Sequence, residues 1–327
     1  MKGLDRVVIK KKRVIALGFF DGIHIGHAAL MRRVIEIGNK RGLVPSVITF
    51  DTHPLNLLNG EKLLLINSPE DRAGLIRRVF GIGDVLFLHF DRSTVTMPWD
   101  KFIDHLAQEF GAQHLVAGND FRFGYGGEGN SKLLKQKCEG LGIGCDIIPD
   151  VTHDGVVCSS TYIRQLLTSG EMERANEFLA HPHVLTDIVR YGYKLGRTLG
   201  TPTINMRFSD GVLVPAFGVY ATKVFLDNDK PAMNTKSEPF TGDGYTRAVN
   251  GYVGITNIGV SPTVGNSGDV TAETHILDFQ RNLYGHEVRL EFYKRLRPEK
   301  YFNDISELKA QIHRDCAAAS DYFANIL

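Results

Sequence analysis

Apolar and polar positions follow two different rhythms along the 327 residues. In the first half, short apolar runs are closed by turn signals and followed by stretches with apolar residues every three or four positions. Val14–Phe20, Val44–Phe50, Asp84–Phe90, His114–Gly118 and Cys145–Pro149 read as strands. Gly26–Arg41, Pro69–Phe80, Pro98–Phe110 and Asn130–Gly140 read as helices. That β-α-β-α order predicts an α/β fold, a doubly wound parallel sheet that holds ligands beyond the C-terminal ends of its strands. Two more helices are expected over Thr161–Ser169 and Glu171–Ala180, split by Gly170. After Pro182 the segments become short, alternating and glycine-punctuated: Val184–Tyr191, Thr203–Arg207, Gly218–Phe225, Tyr252–Asn257, Glu273–Asp278 and Glu287–Leu296. Such spacing predicts a small antiparallel β-barrel. An amphipathic helix from Asp304 to Leu327 follows it. The change of rhythm near His181–His183 implies two domains, 1–181 and 182–327, and the polar Asp227–Ala248 stretch reads as a long loop.

Composition narrows the class. Hydrophobic content of 43% and charged content of 23% describe an ordinary globular chain, and a net charge of +1 argues against nucleic acid or anionic membrane as the main partner. No apolar run approaches the ~20 residues of a membrane span, and no signal-peptide pattern opens the sequence. Cys138, Cys145, Cys158 and Cys316 show no Cys-x-x-Cys spacing and read as reduced thiols, so a cytoplasmic location is expected.

The chemistry concentrates where strands end. Ala16-Leu-Gly-Phe-Phe-Asp-Gly-Ile-His-Ile-Gly-His27 runs from the first strand into the first helix. A helix N-terminus offers open N–H groups and a positive dipole end, and Gly22 and Gly26 let backbone approach a phosphate. His24 and His27, three residues apart, can face one ligand. A zinc site would need further Cys or His at matching spacing, and none is near. The second strand ends at His53-Pro54, and the fourth at Gly118-Asn-Asp-Phe-Arg-Phe-Gly124, with Asp120, Phe121 and Phe123. Ser159, Ser160 and Thr161 open a helix that carries Arg164, a guanidinium suited to a leaving pyrophosphate. In the second half Thr203 and Asn205 alternate on one strand and offer oxygens to a hard cation, while Glu273 could take a proton from an alcohol.

Taken in order, these motifs resemble the bacterial bifunctional riboflavin kinase/FMN adenylyltransferase (FAD synthetase) family from end to end. The nucleotidyltransferase marks stand at Gly18–His27, His53-Pro54, Asp120–Gly124 and Ser159–Arg164. The kinase-barrel marks stand at Gly196–Asn205, Gly218–Tyr220, Asn257–Thr263, Glu273–Phe279, Leu283–Gly285 and Leu296–Pro298. The resemblance implies an FMN adenylyltransferase domain over 1–181 and a riboflavin kinase barrel over 182–327. It implies two steps: riboflavin and ATP give FMN, then FMN and a second ATP give FAD and pyrophosphate.

For the residues, it implies catalytic roles for His24, His27, Arg164 and Glu273. Gly18, Phe20, Asp21, Gly22, Gly26, Ser159, Ser160, Thr161, Gly196, Thr203 and Asn205 would hold ATP and its phosphates. His53, Asp120, Phe121 and Phe123 would meet the flavin, and Thr203 and Asn205 would hold Mg²⁺. The partners implied are small molecules.

The sequence departs from the family pattern at Thr52, Thr201, Ile204, Ser261 and His181, and in the 227–248 insertion. None of these removes a residue given a chemical role. An alternative is an FMN adenylyltransferase whose barrel binds flavin without turnover. A flavin-sensing protein with neither activity would need neither a base nor a metal site.

Overall fold

The structure is a computed structural model describing residues 11–52, 63–89, 92–191, 201–226, 251–260 and 270–326. His53, Gly196, Ser261 and the 227–248 insertion lie outside the described residues. By its contacts the chain divides into two units. The first is Met1–Leu63 with Arg72–Cys158, and the second is Leu64–Asp71 with Ser159–Leu327.

The first unit is built on a parallel sheet. Strands β1 (Arg13–Leu17), β2 (Val44–Phe50), β3 (Asp84–Leu88), β4 (Ala112–Gly118) and β5 (Gly144–Ile148) lie in the order β3-β2-β1-β4-β5. Val14, Ile15, Ala16 and Leu17 are all within 1% of full burial, because helices cover both faces of the central strand. The connection leaves β1 toward β2 and later returns to β4 on the other side. A topological switch point therefore lies at the C-terminal end of β1, where α/β sheets bind ligands. Helix α1 (Ile25–Arg41) ends at Gly42, whose φ of 65° lets its N–H reach the Gly38 carbonyl.

The expected first strand is shortened in the structure. The chain turns after Leu17, and Phe20 takes a φ of 57°, which no strand tolerates. A hairpin of Thr152–His153 and Val156–Val157 (β6 and β7) was not legible, since two-residue strands show no period.

The second unit curls six antiparallel strands into a half-barrel: β8 (His183–Ile188), β9 (Thr203–Arg207), β10 (Gly218–Leu226), β11 (Tyr252–Val260), β12 (Val270–Ile276) and β13 (Glu287–Arg297). Their order is β8-β13-β10-β11-β12-β9. The two edges meet where the Arg190 N–H donates to the Asn205 carbonyl at 2.9 Å and Asp187 accepts from the Arg207 N–H at 2.9 Å. The concave face carries a row of buried hydroxyls, Thr222, Thr256 and Thr274, linked at 2.9 Å each. On the other face the C-terminal helix, Ile305–Ile326, seats Ala319 and Phe323 on Val219, Ala221 and Ile255.

The contact division falls at Cys158/Ser159, earlier than the change of rhythm at 181/182. Helices Ser160–Ser169 and Met172–Phe178 pack within the second unit, where the Asn176 amide donates to the Phe292 carbonyl at 2.8 Å and accepts from the His183 N–H at 2.9 Å. A piece starting at Pro182 leaves both backbone groups without these partners. An unmade buried hydrogen bond costs about 1–3 kcal/mol. Thermal denaturation is expected to show the 182–327 piece melting below the 159–327 piece.

Candidate functional site

In the first unit, the loop after β1 is shaped by three residues in the left-handed region: Phe20 at 57°, Gly22 at 84° and Ile23 at 45°. Two of them carry side chains, and such backbone costs of order 1–3 kcal/mol per residue and gathers at functional sites. Gly18 is obligatory for a steric reason. A Cβ there would stand 2.8 Å from the Phe20 ring. Phe20 and Asp21 are buried, at 1% and 2% exposure.

His24 is the N-cap of α1, and its Nδ1 accepts from the His27 N–H at 3.3 Å. This fixes the neutral tautomer, with the proton on Nε2 free to face a ligand. The His27 ring stacks on His24 at 3.5 Å between centroids and meets the edge of Phe20 at 5.1 Å. Burial pulls His24 down to about 4. His27 sits well below the ordinary histidine value through burial first, then the charges of His24 and Arg72. Both imidazoles are neutral at pH 7. The Nδ1 of His27 is buried without a hydrogen-bond partner among the described residues.

The open helix N-terminus expected here is partly taken. The His27 N–H is capped by His24, and the Ala28 N–H donates to the His24 carbonyl at 2.9 Å. The donors left for an anion are the imidazoles more than the backbone.

Gly26 is the second residue of α1, and a Cβ there would press on the His24 ring at 3.1 Å. Asp120 is exposed at the end of β4, while Phe123 is buried in the core and Phe121 stacks on it at 5.4 Å. One residue that the sequence did not single out is Arg72. It lies on the buried face of its helix, where a charge amid Leu75 and Ile76 is the only sequence signal.

In the second unit, Ser159 caps helix Ser160–Ser169, its Oγ accepting from the Tyr162 N–H at 3.3 Å. Ser160 and Thr161 open the helix. The Arg164 Nε one turn on donates to the Leu64 carbonyl at 2.9 Å.

On the half-barrel, register brings the kinase residues together. Glu273 pairs across to Asn205 of β9 on one side and to Asn257 of β11 on the other. Thr203 pairs with His275, and the pleat puts all five on one face. That face walls a cavity of about 300 Å³ closed by Leu308, Ile312 and Asp315 of the C-terminal helix. Glu273, Thr203, Asn257 and His275 line it; Asn205 stands on the same face outside the lining. Thr203 also borders a second cavity of about 370 Å³ with Ile204, Thr274, Phe279, Arg281 and Tyr284.

Glu273 sits in the middle of β12, not at its start as expected. The strand begins at Val270 and stops at Ile276, since Asp278 turns the chain with a φ of 54°. Burial raises the Glu273 carboxyl, which has no hydrogen bond or ion pair among the described residues. The sequence reading gave no role to Arg297, which lines this cavity and is gripped by Asp315 at 2.8 Å, with Gln311 bracing the carboxylate at 2.8 Å.

Comparison with known proteins agrees with both halves. An FAD synthetase family model matches residues 7–162 and a riboflavin kinase model matches 179–323. The chain is 34% identical over 319 residues to the bifunctional riboflavin kinase/FMN adenylyltransferase of Bacillus subtilis, covering 96% of this chain and 94% of that one. The Escherichia coli K12 protein of that name is 34% identical, covering 95% and 92%. A solved structure described as a macrolide-efflux protein from Streptococcus pneumoniae matches with a TM-score of 0.78 at 26% identity, over 95% of this chain and 94% of that one. Among the described residues here, no helix is long and apolar enough to cross a membrane. With both family models matched in order and relatives aligned over nearly the whole length, this chain belongs to the bifunctional riboflavin kinase/FMN adenylyltransferase family.

Proposed function

We propose that the chain makes FAD from riboflavin in two steps, with the residues of 182–327 phosphorylating riboflavin and those of 1–181 adenylylating FMN. The observation that carries the reading is the alignment of Asn205, Glu273 and Asn257 across three strands, beside a cavity that Thr203 shares with a second one. In the kinase step the Glu273 carboxylate takes the proton from the riboflavin primary hydroxyl as its oxygen attacks the γ-phosphorus of ATP, and ADP leaves. An unpaired, desolvated carboxylate is a stronger base than an exposed one.

Thr203 and Asn205 supply a hydroxyl and an amide oxygen on one face of β9, the hard-donor chemistry Mg²⁺ prefers. When bound, the ion would neutralise phosphate charge. Orientation of the alcohol falls to Glu273 and the cavity walls. In the adenylyl step an FMN phosphate oxygen attacks the α-phosphorus of ATP, and pyrophosphate leaves without a covalent enzyme intermediate. His24 and His27 donate to the phosphates, and Arg164 meets the leaving pyrophosphate. Gly18, Phe20, Asp21, Gly22 and Gly26 shape that cradle. The free thiols support a cytoplasmic setting.

A flavin-binding barrel without turnover has no use for a base held at this energetic cost. Incubation with riboflavin, ATP and Mg²⁺, followed by chromatography, is expected to give FMN and then FAD. FAD formed only when FMN is supplied would sink the kinase step.

A further inference from the structure

We propose that Arg72, which reaches no solvent, is a positioning residue for adenylyl transfer: it ties the ends of the first two strands together and sets the seat of His27. The proposal rests on the adenylyl-transfer reading of the His24–His27 loop. Arg72 is 0% exposed and is the bulkiest fully buried side chain among the described residues. A cation there costs several kcal/mol of desolvation unless its surroundings answer it.

They do so from two strand ends at once. Nη1 donates to the Phe19 carbonyl at 2.7 Å, to Thr49 Oγ1 at 2.9 Å and to the Phe50 carbonyl at 2.9 Å. Thr49 Oγ1 donates to the same Phe19 carbonyl at 2.7 Å. The guanidinium plane lies over the Phe19 ring at 4.3 Å. Phe19 is the last residue before the left-handed turn at Phe20, and the Phe20 ring stands perpendicular to the His27 ring at 5.1 Å between centroids. Arg72 thus holds the hinge on which the catalytic imidazole is mounted.

Its charge acts on the same ring. Among the described residues, the other titratable groups placed at this loop are His24 stacked on His27, Asp21 buried in the loop, and Cys158, whose thiol is pushed up by burial while facing the Gly26 and Ile25 N–H groups. Asp51 and His89, paired at 2.5 Å, close the ends of β2 and β3. Arg72 is the fixed cation of this set, and it opposes protonation of His27. Without it, His27 would gain a proton at higher pH and lose its neutral form earlier as pH falls.

The test measures FMN adenylylation in the full chain against pH, with thermal denaturation as the control for folding and riboflavin phosphorylation as the control for the other activity. Arg72→Gln is expected to move the acid limb up by about one pH unit, the usual effect of one nearby charge. Arg72→Lys keeps the charge but puts no guanidinium over the Phe19 ring. It should leave the limb in place and lower kcat about tenfold with KM for ATP little changed. A folded Arg72→Gln with the wild-type profile and rate would overturn the proposal. If that variant does not fold, Arg72→Lys decides alone, and a wild-type kcat there overturns it equally. His27→Ala, measured in parallel, separates the two readings. Wild-type adenylylation in His27→Ala removes the adenylyl-site reading and this proposal with it. A dead His27→Ala beside a wild-type Arg72→Gln removes only the role of Arg72.

Discussion

Glu273→Gln is expected to slow FMN formation by roughly 10²–10⁴, the usual value of general-base help. The amide keeps the shape of the side chain and can still hydrogen-bond, so the cavity beside Thr203 and Asn257 survives, but no group remains to take the proton of the alcohol. Mg²⁺–ATP binding should change little, since Thr203 and Asn205 are untouched. Adenylylation of supplied FMN should be unchanged.

Two further readouts distinguish a base from an ordinary strand charge. Burial raises the carboxyl, so the active ionised form is lost on acidification at a higher pH than for an exposed glutamate. The acid limb of riboflavin phosphorylation should lie correspondingly high. The same burial means that the folded state binds a proton more readily than the unfolded one, so above this range the charged group opposes folding. Its removal should therefore raise the melting temperature at pH 7, by about 2–4 °C for a gain near 1 kcal/mol. A Glu273→Gln protein that phosphorylates riboflavin at the wild-type rate returns Glu273 to the status of a buried strand residue.

His27→Ala is expected to lower FAD formation from supplied FMN by about 10²–10³, the effect of losing one preorganised donor to transition-state charge. The loop itself should persist. His24 still caps α1 through the residue 27 N–H, and Gly18 still receives the Phe20 ring. The Phe20 edge contact and the imidazole stack would go, so a modest loss of stability should accompany the kinetic loss. Riboflavin phosphorylation should remain near wild type, and thermal denaturation serves as the control for folding. A folded His27→Ala chain that makes FAD at the wild-type rate would remove the imidazole from the chemistry.

Much of this protein was written in its local sequence. Val14–Leu17 are apolar without a break because helices cover both faces of that strand, whereas Thr203-Ile-Asn-Met alternates because its two faces meet different surroundings. Burial sets period, and period is visible without a structure. The His24–His27 loop was equally legible, because one strand end and one helix start contain it whole.

What only the tertiary structure decided lies between segments distant in sequence. That Glu273 stands between Asn205 and Asn257 is a matter of register across β9, β12 and β11, set by how the three strands align side by side. Arg72 reads locally as one more charge on an amphipathic helix. Its burial follows from two carbonyls and a hydroxyl that the ends of β1 and β2 turn toward it, and no periodicity records an acceptor more than 20 residues away. The grouping of Ser159–Phe178 with the half-barrel is of the same kind, since Asn176 finds its partners at Phe292 and His183. Propensity and pattern act within a few residues, while buried polar groups choose partners by position in space.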